Sequence, residues 1–248
     1  MISILRKKLF LKVNEIYFVD KELEKKILKG ADIVFYIQAS KKLLNSRIFT
    51  TNHINLKLGL EDLFNNITKN TRYEIRRAIR QDKWEIQHID QPNKEEIQLL
   101  CERYNQFAIK KNITSANFNK LVALKEANAL VISKAHVGGY WVCHVYVKDC
   151  NRARLLYSFH YVDHNLNENK SLLGRGNRLL HWEDIQYYKQ NGLNVYDFGG
   201  AGKQDEKVRN ITKFKEEFGG FSANEYNKMQ GITFLGKAVV YVFEYAHK

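Results

Sequence analysis

The residues best suited to chemistry in this 248-residue chain cluster between Ser171 and Gly220. The run Leu173-Gly174-Arg175-Gly176-Asn177-Arg178 places two glycines at the opening of a helical pattern, Asn177–Gln190. Glycine lets backbone N–H groups approach an anion closely, and the positive end of the helix dipole favours that anion. These six residues are expected to cradle a phosphate or pyrophosphate, the alternative being an ordinary glycine-containing turn. A short apolar strand, Asn194–Phe198, follows the helix and runs into Gly199 and Gly200. A further helix, Ile211–Phe218, carries Lys215 in the run Phe214-Lys215-Glu216-Glu217-Phe218-Gly219-Gly220. Asp197 at the strand end and Lys215 on the next helix lie where a reaction beside the bound phosphate could take place.

An earlier stretch offers a second anion-binding pattern. Arg72, Arg76 and Arg80 recur every four residues on a predicted helix, Glu61–Lys83, with Arg77 beside them. That spacing puts guanidinium groups near one helix face, where they can clamp a diphosphate bidentately. The alternative is a solvated face, helped by Glu74 and Asp82. Substrate binding is assigned to Arg72 and Arg76, and Tyr73 either stacks on a nucleotide base or packs.

The elements that must position these groups follow from periodicity. Ile2–Val19 alternates as one or two strands, Ile33–Ala39 reads as a buried strand, and Ile48–Leu58 is extended. The only proline, Pro92, precedes Asn93, a good helix cap, and marks the expected boundary between domains 1–92 and 93–248. Beyond it come the helices Glu95–Lys111 and Phe118–Ala127. Ile97, Leu100, Cys101, Tyr104 and Ala108 recur at helical spacing on the first. Strands Leu130–Val137, Tyr140–Val147 and Ala153–Val162 follow, with Gly138-Gly139 as a hairpin turn. The chain closes with an extended segment near Phe221–Lys228 and an apolar helix, Phe234–Ala246, for core or dimer packing, the alternative being membrane contact. This order predicts a mixed α/β sheet with helices on both faces and a smaller N-terminal domain.

Composition bounds the partners. The net charge of +13 calls for an anion: nucleic acid, a phosphorylated small molecule or an anionic membrane face. The abundance of Tyr and Phe, 14 of each, argues against disorder. Cys101, Cys143 and Cys150 lack CxxC spacing and form no disulfide framework, and Cys143 sits in an apolar run as a core residue. Early charges break the N-terminus as a signal peptide, and no run of 18 apolar residues predicts a membrane span. A cytoplasmic protein is expected, as a monomer or homodimer.

Two resemblances sharpen this reading. Ser171-Leu172-Leu173-Gly174-Arg175-Gly176 resembles the phosphate loop of the GNAT acyltransferase superfamily, Gln/Arg-x-x-Gly-x-Gly/Ala. Ser171 replaces the usual Gln or Arg, and Arg175 and Arg178 can supply the charge. Tyr196–Gly200, Phe214–Gly220 and Thr71–Ile79 are similar to the FemABX-like branch, over roughly residues 50–230. The resemblance implies an α/β (α+β) fold with a GNAT-type mixed, mostly antiparallel sheet flanked by helices, preceded by a reduced N-terminal half. It implies acyl-CoA as donor, its coenzyme A pyrophosphate on the glycine turn, and no metal. In the short members it resembles, the acceptor is the amine of a nucleotide-linked amino sugar used for surface polysaccharide. Asp197 would then be the base or a cap on the glycine turn. His160 lies on the strand that the superfamily sets against the thioester, as a base, a substrate contact or a satisfied half-buried histidine. Tyr157, on the opposite strand face, is a substrate contact. Lys215 would stabilise charge at the acyl centre or phosphate, or remain a solvated helix lysine, and backbone N–H groups would meet the oxyanion. The rival enzyme is an aminoacyl-tRNA-dependent transferase, and the rival from another class is a non-catalytic basic nucleic-acid-binding protein.

Overall fold

The computed structural model describes residues 1–24, 28, 30–164, 166–202 and 206–246. In chain order the elements are β1 (Ile2–Lys8), β2 (Leu11–Tyr17), β3 (Ile33–Ala39), β4 (Arg47–Asn55), α1 (Leu60–Asn66), α2 (Lys69–Arg77), a π-helical turn (Ala78–Asp82), β5 (Glu85–Ile89), α3 (Lys94–Lys111), α4 (Phe118–Glu126), β6 (Leu130–Val137), β7 (Tyr140–Lys148), β8 (Arg152–Val162), α5 (Lys170–Gln190), β9 (Val195–Gly200), α6 (Glu206–Glu216), β10 (Phe221–Gly231) and α7 (Phe234–Ala246). They fall into two compact units, Met1–Thr51 with Ala223–Lys248, and Asn52–Ser222.

In the first unit the strand order is β1-β2-β3-β10. β1 and β2 form an antiparallel pair, β2 and β3 run parallel, and β10 returns antiparallel to β3. Alternation sorts most side chains: Ile16, Val34 and Tyr36 build one apolar cluster, which Ala39 joins past the positive-φ Gln38, while Leu11, Val13 and Ile33 build another with Val240 of α7.

In the second unit β9, β8, β7, β6 and β5 are neighbours in that order. β5 to β8 pair antiparallel, and β8 and β9 run parallel. Gly138 and Gly139, both with positive φ (50° and 83°), make the expected β6–β7 hairpin turn. The two faces of β8 hold different helices. Tyr157 and Phe159 pack on Tyr104 of α3, whereas Ser158 bonds Asn177 of α5. α3 opens with the cap that Asn93 promised, a reciprocal capping box with Glu96.

Three expectations change. The chain does not divide at Pro92. β5 pairs with β6, and α2 packs on α5, so residues 52–92 belong with those that follow. Pro92 only punctuates the link from β5 to α3. The single helix expected over Glu61–Lys83 is two helices and a π-helical turn. The break at Ile67 and Thr68 is extended and held by the Thr68 N–H bonding the Glu217 carbonyl at 2.8 Å. The π turn then buries Ala78 and turns Ile79 outward.

The third change concerns the glycines. α5 begins at Lys170, with the Asn169 side chain capping the Leu172 N–H at 3.1 Å. Gly174 and Gly176 therefore lie inside the helix, with their N–H groups on its ladder. Gly176 is required by packing. A Cβ there would fall 2.7 and 2.8 Å from two indole carbons of the buried Trp84, and nearer still to a third. Gly174 has room, its closest neighbour being an Arg178 nitrogen at 3.7 Å. Gly176→Ala should destabilise the protein by about 1–3 kcal/mol through overpacking. Gly174→Ala should be neutral or stabilising by up to about 1 kcal/mol, as for any exchange in a helix interior. Chemical denaturation of both variants checks this; equal losses would show that Gly174 is required by packing as Gly176 is.

Candidate active site

β8 and β9 pair at Arg152↔Val195, Ala153↔Tyr196 and Arg154↔Asp197, and then separate. Two backbone features mark the separation. β8 carries a bulge: Val145 faces Tyr157 while Tyr146 faces Leu155, so Leu156 has no partner on β7. A bulge leaves one residue's backbone groups off the ladder. β9 turns through Gly199, whose φ of 74° is left-handed. A Cβ there would sit 3.1 Å from the Leu155 carbonyl, so glycine serves both conformation and closeness.

Beside this separation lies a cavity of about 880 Å³. Leu155, Leu156 and Ser158 of β8, Gly199 and Gly200 of β9, Asn177 and His181 of α5 and Lys215 of α6 line it. That volume lies in the range of small-molecule sites.

Two buried charges clasp the turn at the end of β9. Asp197 is fully buried, and its Oδ1 accepts the Gly199 N–H at 2.7 Å. Its Oδ2 lies 3.5 Å from His53 Nε2 and 3.7 Å from Arg152 Nη1. Lys215, 8% exposed, donates from Nζ to the carbonyls of Gly199 (3.2 Å) and Gly200. Burial pushes its pKa down to about 8; the charge of Asp197 resists this and Arg154 adds to it.

Behind the cavity runs a polar network anchored on Asp184 of α5, which is fully buried. Asp184 Oδ1 meets His88 Nε2 at 3.0 Å. Its Oδ2 meets His144 Nδ1 at 2.7 Å and accepts the Tyr146 hydroxyl at 2.6 Å. Burial raises the Asp184 pKa, but the hydrogen bonds from His144 and His88 outweigh it and hold the carboxyl well below its ordinary range. One branch continues from His144 Nε2 to Asn177 Oδ1 (2.9 Å), which also accepts from Ser158 Oγ (3.2 Å). The other passes from Tyr146 to the Tyr196 hydroxyl and on to His181 Nδ1, each step 2.7 Å. His144, His181 and Asp184 lie close enough to share a metal ion, but both nitrogens of His144 and both oxygens of Asp184 are engaged by protein partners.

Residues 65–208 match the family described as "Acetyltransferase (GNAT) domain". The chain belongs to this GNAT family. Its fold, a mixed and mostly antiparallel sheet flanked by helices, is FemABX-like. It is similar to the crystal structure of FemX at 10% identity, over 97% of this chain and 85% of that one, with a TM-score of 0.64. It is also similar to the C-terminal domain of a putative lysylphosphatidylglycerol synthetase from Agrobacterium fabrum (11% identity, 96% and 83% covered, TM-score 0.56). A third likeness is to L-PGS from Bacillus licheniformis (13% identity, 91% and 79% covered, TM-score 0.50). At these identities the likeness is one of fold. No curated protein matches the chain in sequence.

The GNAT cavity gathers some of the residues expected from sequence and leaves others out. Lys215 and Asn177 line it. Asp197 takes the capping alternative and lies behind the turn. The glycine cradle is not formed: Leu173 is in the core, and Arg175 forks onto Asp82 at 2.7 and 2.9 Å. Arg178 lies over the Phe214 ring and reaches the Gly174 carbonyl at 3.3 Å and Glu217 at 3.5 Å. Arg72 bonds Asn65, Arg76 stacks on Phe64, and Tyr73 is exposed; none of them lines the cavity. Tyr157 packs on Tyr104, on the α3 face of β8. His160 sits 3.3 Å from Glu168 in a separate cavity of about 360 Å³, and burial lowers its pKa against the pull of Glu168. His88, His144, His181, Asp184 and Ser158 were missed. Their signal was polarity on an apolar face: His181 and Asp184 fall among Leu173, Leu180, Ile185 and Tyr188, the buried stripe of α5.

Lys215 makes a test by pH. The folded chain releases its proton at about 8, against an ordinary 10.5, so between those values the unfolded chain binds more protons. Stability therefore rises with pH across that window, and the full penalty of roughly 3 kcal/mol is present below it. Measured against Lys215→Met by urea denaturation, the parent protein should gain about that much between neutral pH and the upper end of the window. A pH-independent difference would show that Lys215 is not depressed.

Proposed function

We propose that the protein moves an acyl group from acyl-CoA to the amine of a nucleotide-linked amino sugar. The observation that carries this reading is the cavity where β8 and β9 part, with the β8 bulge at Leu156, off the β7 register, and Lys215 both lining it. A thioester carbonyl seated there would place its oxygen at the bulge N–H, a preorganised donor for the developing oxyanion. The Lys215 ammonium adds positive charge across the cavity. The attacking amine, with a pKa of roughly 8 by analogy with an α-amino group, needs only a weak base. The C–N bond forms, the C–S bond breaks, and the amine proton passes to the departing thiolate. The positive surplus of the chain suits an acceptor carrying phosphates.

One observation favours a second reading, an aminoacyl-tRNA donor. With Gly174 and Gly176 inside α5 and Arg175 held by Asp82, the described residues form no glycine cradle for coenzyme A pyrophosphate. Two of the similar structures are described as lysylphosphatidylglycerol synthetase and L-PGS. The two donors separate in one experiment. Thiol release from acyl-CoA is measured with a panel of nucleotide amino sugars, beside transfer from charged tRNA. Thiol release together with a CoA-induced rise in Tm supports the first reading. Transfer from tRNA with steep salt dependence and no CoA response replaces it. RNA retention without either transfer supports a non-catalytic binder. In whichever reaction is found, Lys215→Ala should lower kcat by about 10²-fold.

A further inference from the structure

We propose that His181 is the general base of this cavity, locked as its Nδ1–H tautomer by a chain of hydrogen bonds that can point only one way. The proposal rests on the acyl-transfer reading for the base's role, whereas the tautomer stands on geometry alone.

The direction follows from counting protons. Asp184 is an ionised carboxylate and can only accept. Tyr146, 2.6 Å from Asp184 Oδ2, must therefore donate its single proton there. Burial holds the Tyr146 and Tyr196 hydroxyls protonated, far above the ordinary tyrosine pKa. Tyr146 has no second proton, so across the 2.7 Å contact the Tyr196 hydroxyl donates and the Tyr146 oxygen accepts. Tyr196 has then given its only proton. The remaining 2.7 Å contact, to His181 Nδ1, is satisfied only if His181 donates. Nδ1 therefore carries the hydrogen, and Nε2 of the neutral ring keeps a lone pair on a residue that lines the cavity.

The surroundings keep the ring neutral. His144 of β7 stacks on it at 4.1 Å, Lys215 of α6 and Arg178 of α5 add positive charge, and Asp184 of α5 is the opposing anion. Tyr146 of β7 and Tyr196 of β9 are uncharged. Phe198, Phe214 and Phe218 enclose the ring with apolar faces. Burial and these cations depress the His181 pKa well below its usual value, in spite of Asp184. During transfer Nε2 takes the proton that the amine nitrogen loses as its C–N bond forms. The imidazolium returns that proton to the leaving thiolate, or to the leaving oxygen of an ester donor, as the carbonyl is restored. Tyr196, Tyr146 and Asp184 act through His181 as positioning residues.

The direct test is a two-bond ¹H–¹⁵N correlation spectrum of ¹⁵N-histidine-labelled protein near neutral pH, assigned with His181→Gln. Protonated Nδ1 and bare Nε2 are expected. An Nε2–H tautomer or an imidazolium would overturn the inference whatever the protein catalyses. His181→Gln should lower kcat by about 10²-fold while the donor-induced Tm rise persists, and the acid limb of the parent's pH profile should lie below the ordinary histidine pKa. Tyr196→Phe should mix the two tautomers and lower kcat about tenfold with KM little changed. A His181→Gln variant within twofold of the parent would overturn the base role. The expected tautomer in a parent protein that transfers no acyl group would overturn the acyl-transfer reading and the base role with it, while the directed chain stands.

Discussion

A carboxylate removed from water must be surrounded by donors, and the second unit of this protein is organised around one that is. Asp184 has its two oxygens met by His88 from β5, His144 from β7 and Tyr146 from β7. Leaving any one of these contacts unmade would expose the rest of the structure to a poorly compensated buried charge, at a cost of several kcal/mol. The contacts therefore fix how α5 lies on the sheet, in translation and in rotation. His181, one turn earlier, and Asn177, two turns earlier, share the Asp184 face and come to the cavity as a consequence. The same constraint explains the place of β5. A short, half-exposed edge strand supplies the donor that completes the carboxylate shell.

The opening between β8 and β9 has a different origin, in the main chain. The β8 bulge and the left-handed Gly199 end the pairing of two strands that are in register just before. Asp197 and Lys215 then grip the resulting turn through its N–H and carbonyl groups. Both charges are buried, and the depressed pKa of Lys215 shows that its burial costs stability. Such groups fix one arrangement of a turn that would otherwise have several, and here the arrangement is an open edge facing His181.

What could be read from the sequence was what local physics determines. β3, β6 and α7 lie where apolar runs and helical spacing placed them, and α3 begins at its capping asparagine with the expected buried face. The failures share a cause, a local signal overruled by a distant partner. Pro92 looked like a domain boundary because the pairing of β5 with β6 is invisible along the chain. Gly176 looked like a turn residue because glycine is costly inside a helix, and its reason is the indole of Trp84 on another element. The arginine ladder looked like a diphosphate clamp, yet Arg72 and Arg76 close on the neighbouring α1 residues Asn65 and Phe64. His181 and Asp184 were visible as polar residues on an apolar stripe. Telling a satisfied core histidine from a base needs the proton direction, which depends on Tyr146 and Tyr196 in two other strands.

These origins divide the site into two parts with different evolutionary freedom. At the acyl end, the groups that would meet reacting atoms are a backbone bulge and a histidine whose tautomer is dictated by buried neighbours. The bulge belongs to the sheet itself, and the histidine is held by hydroxyls of β7 and β9, so both are tied to the core. Among the described residues no glycine loop presents an array of N–H groups, so on the proposed reading negative charge on a donor or acceptor is met by side chains. Arg154 of β8 and Lys111 at the end of α3 both line the cavity. Side chains on a cavity wall can change without cost to the sheet. On the proposed reading, the transfer chemistry is tied to the core, while recognition of the carrier rests on side chains of the cavity wall.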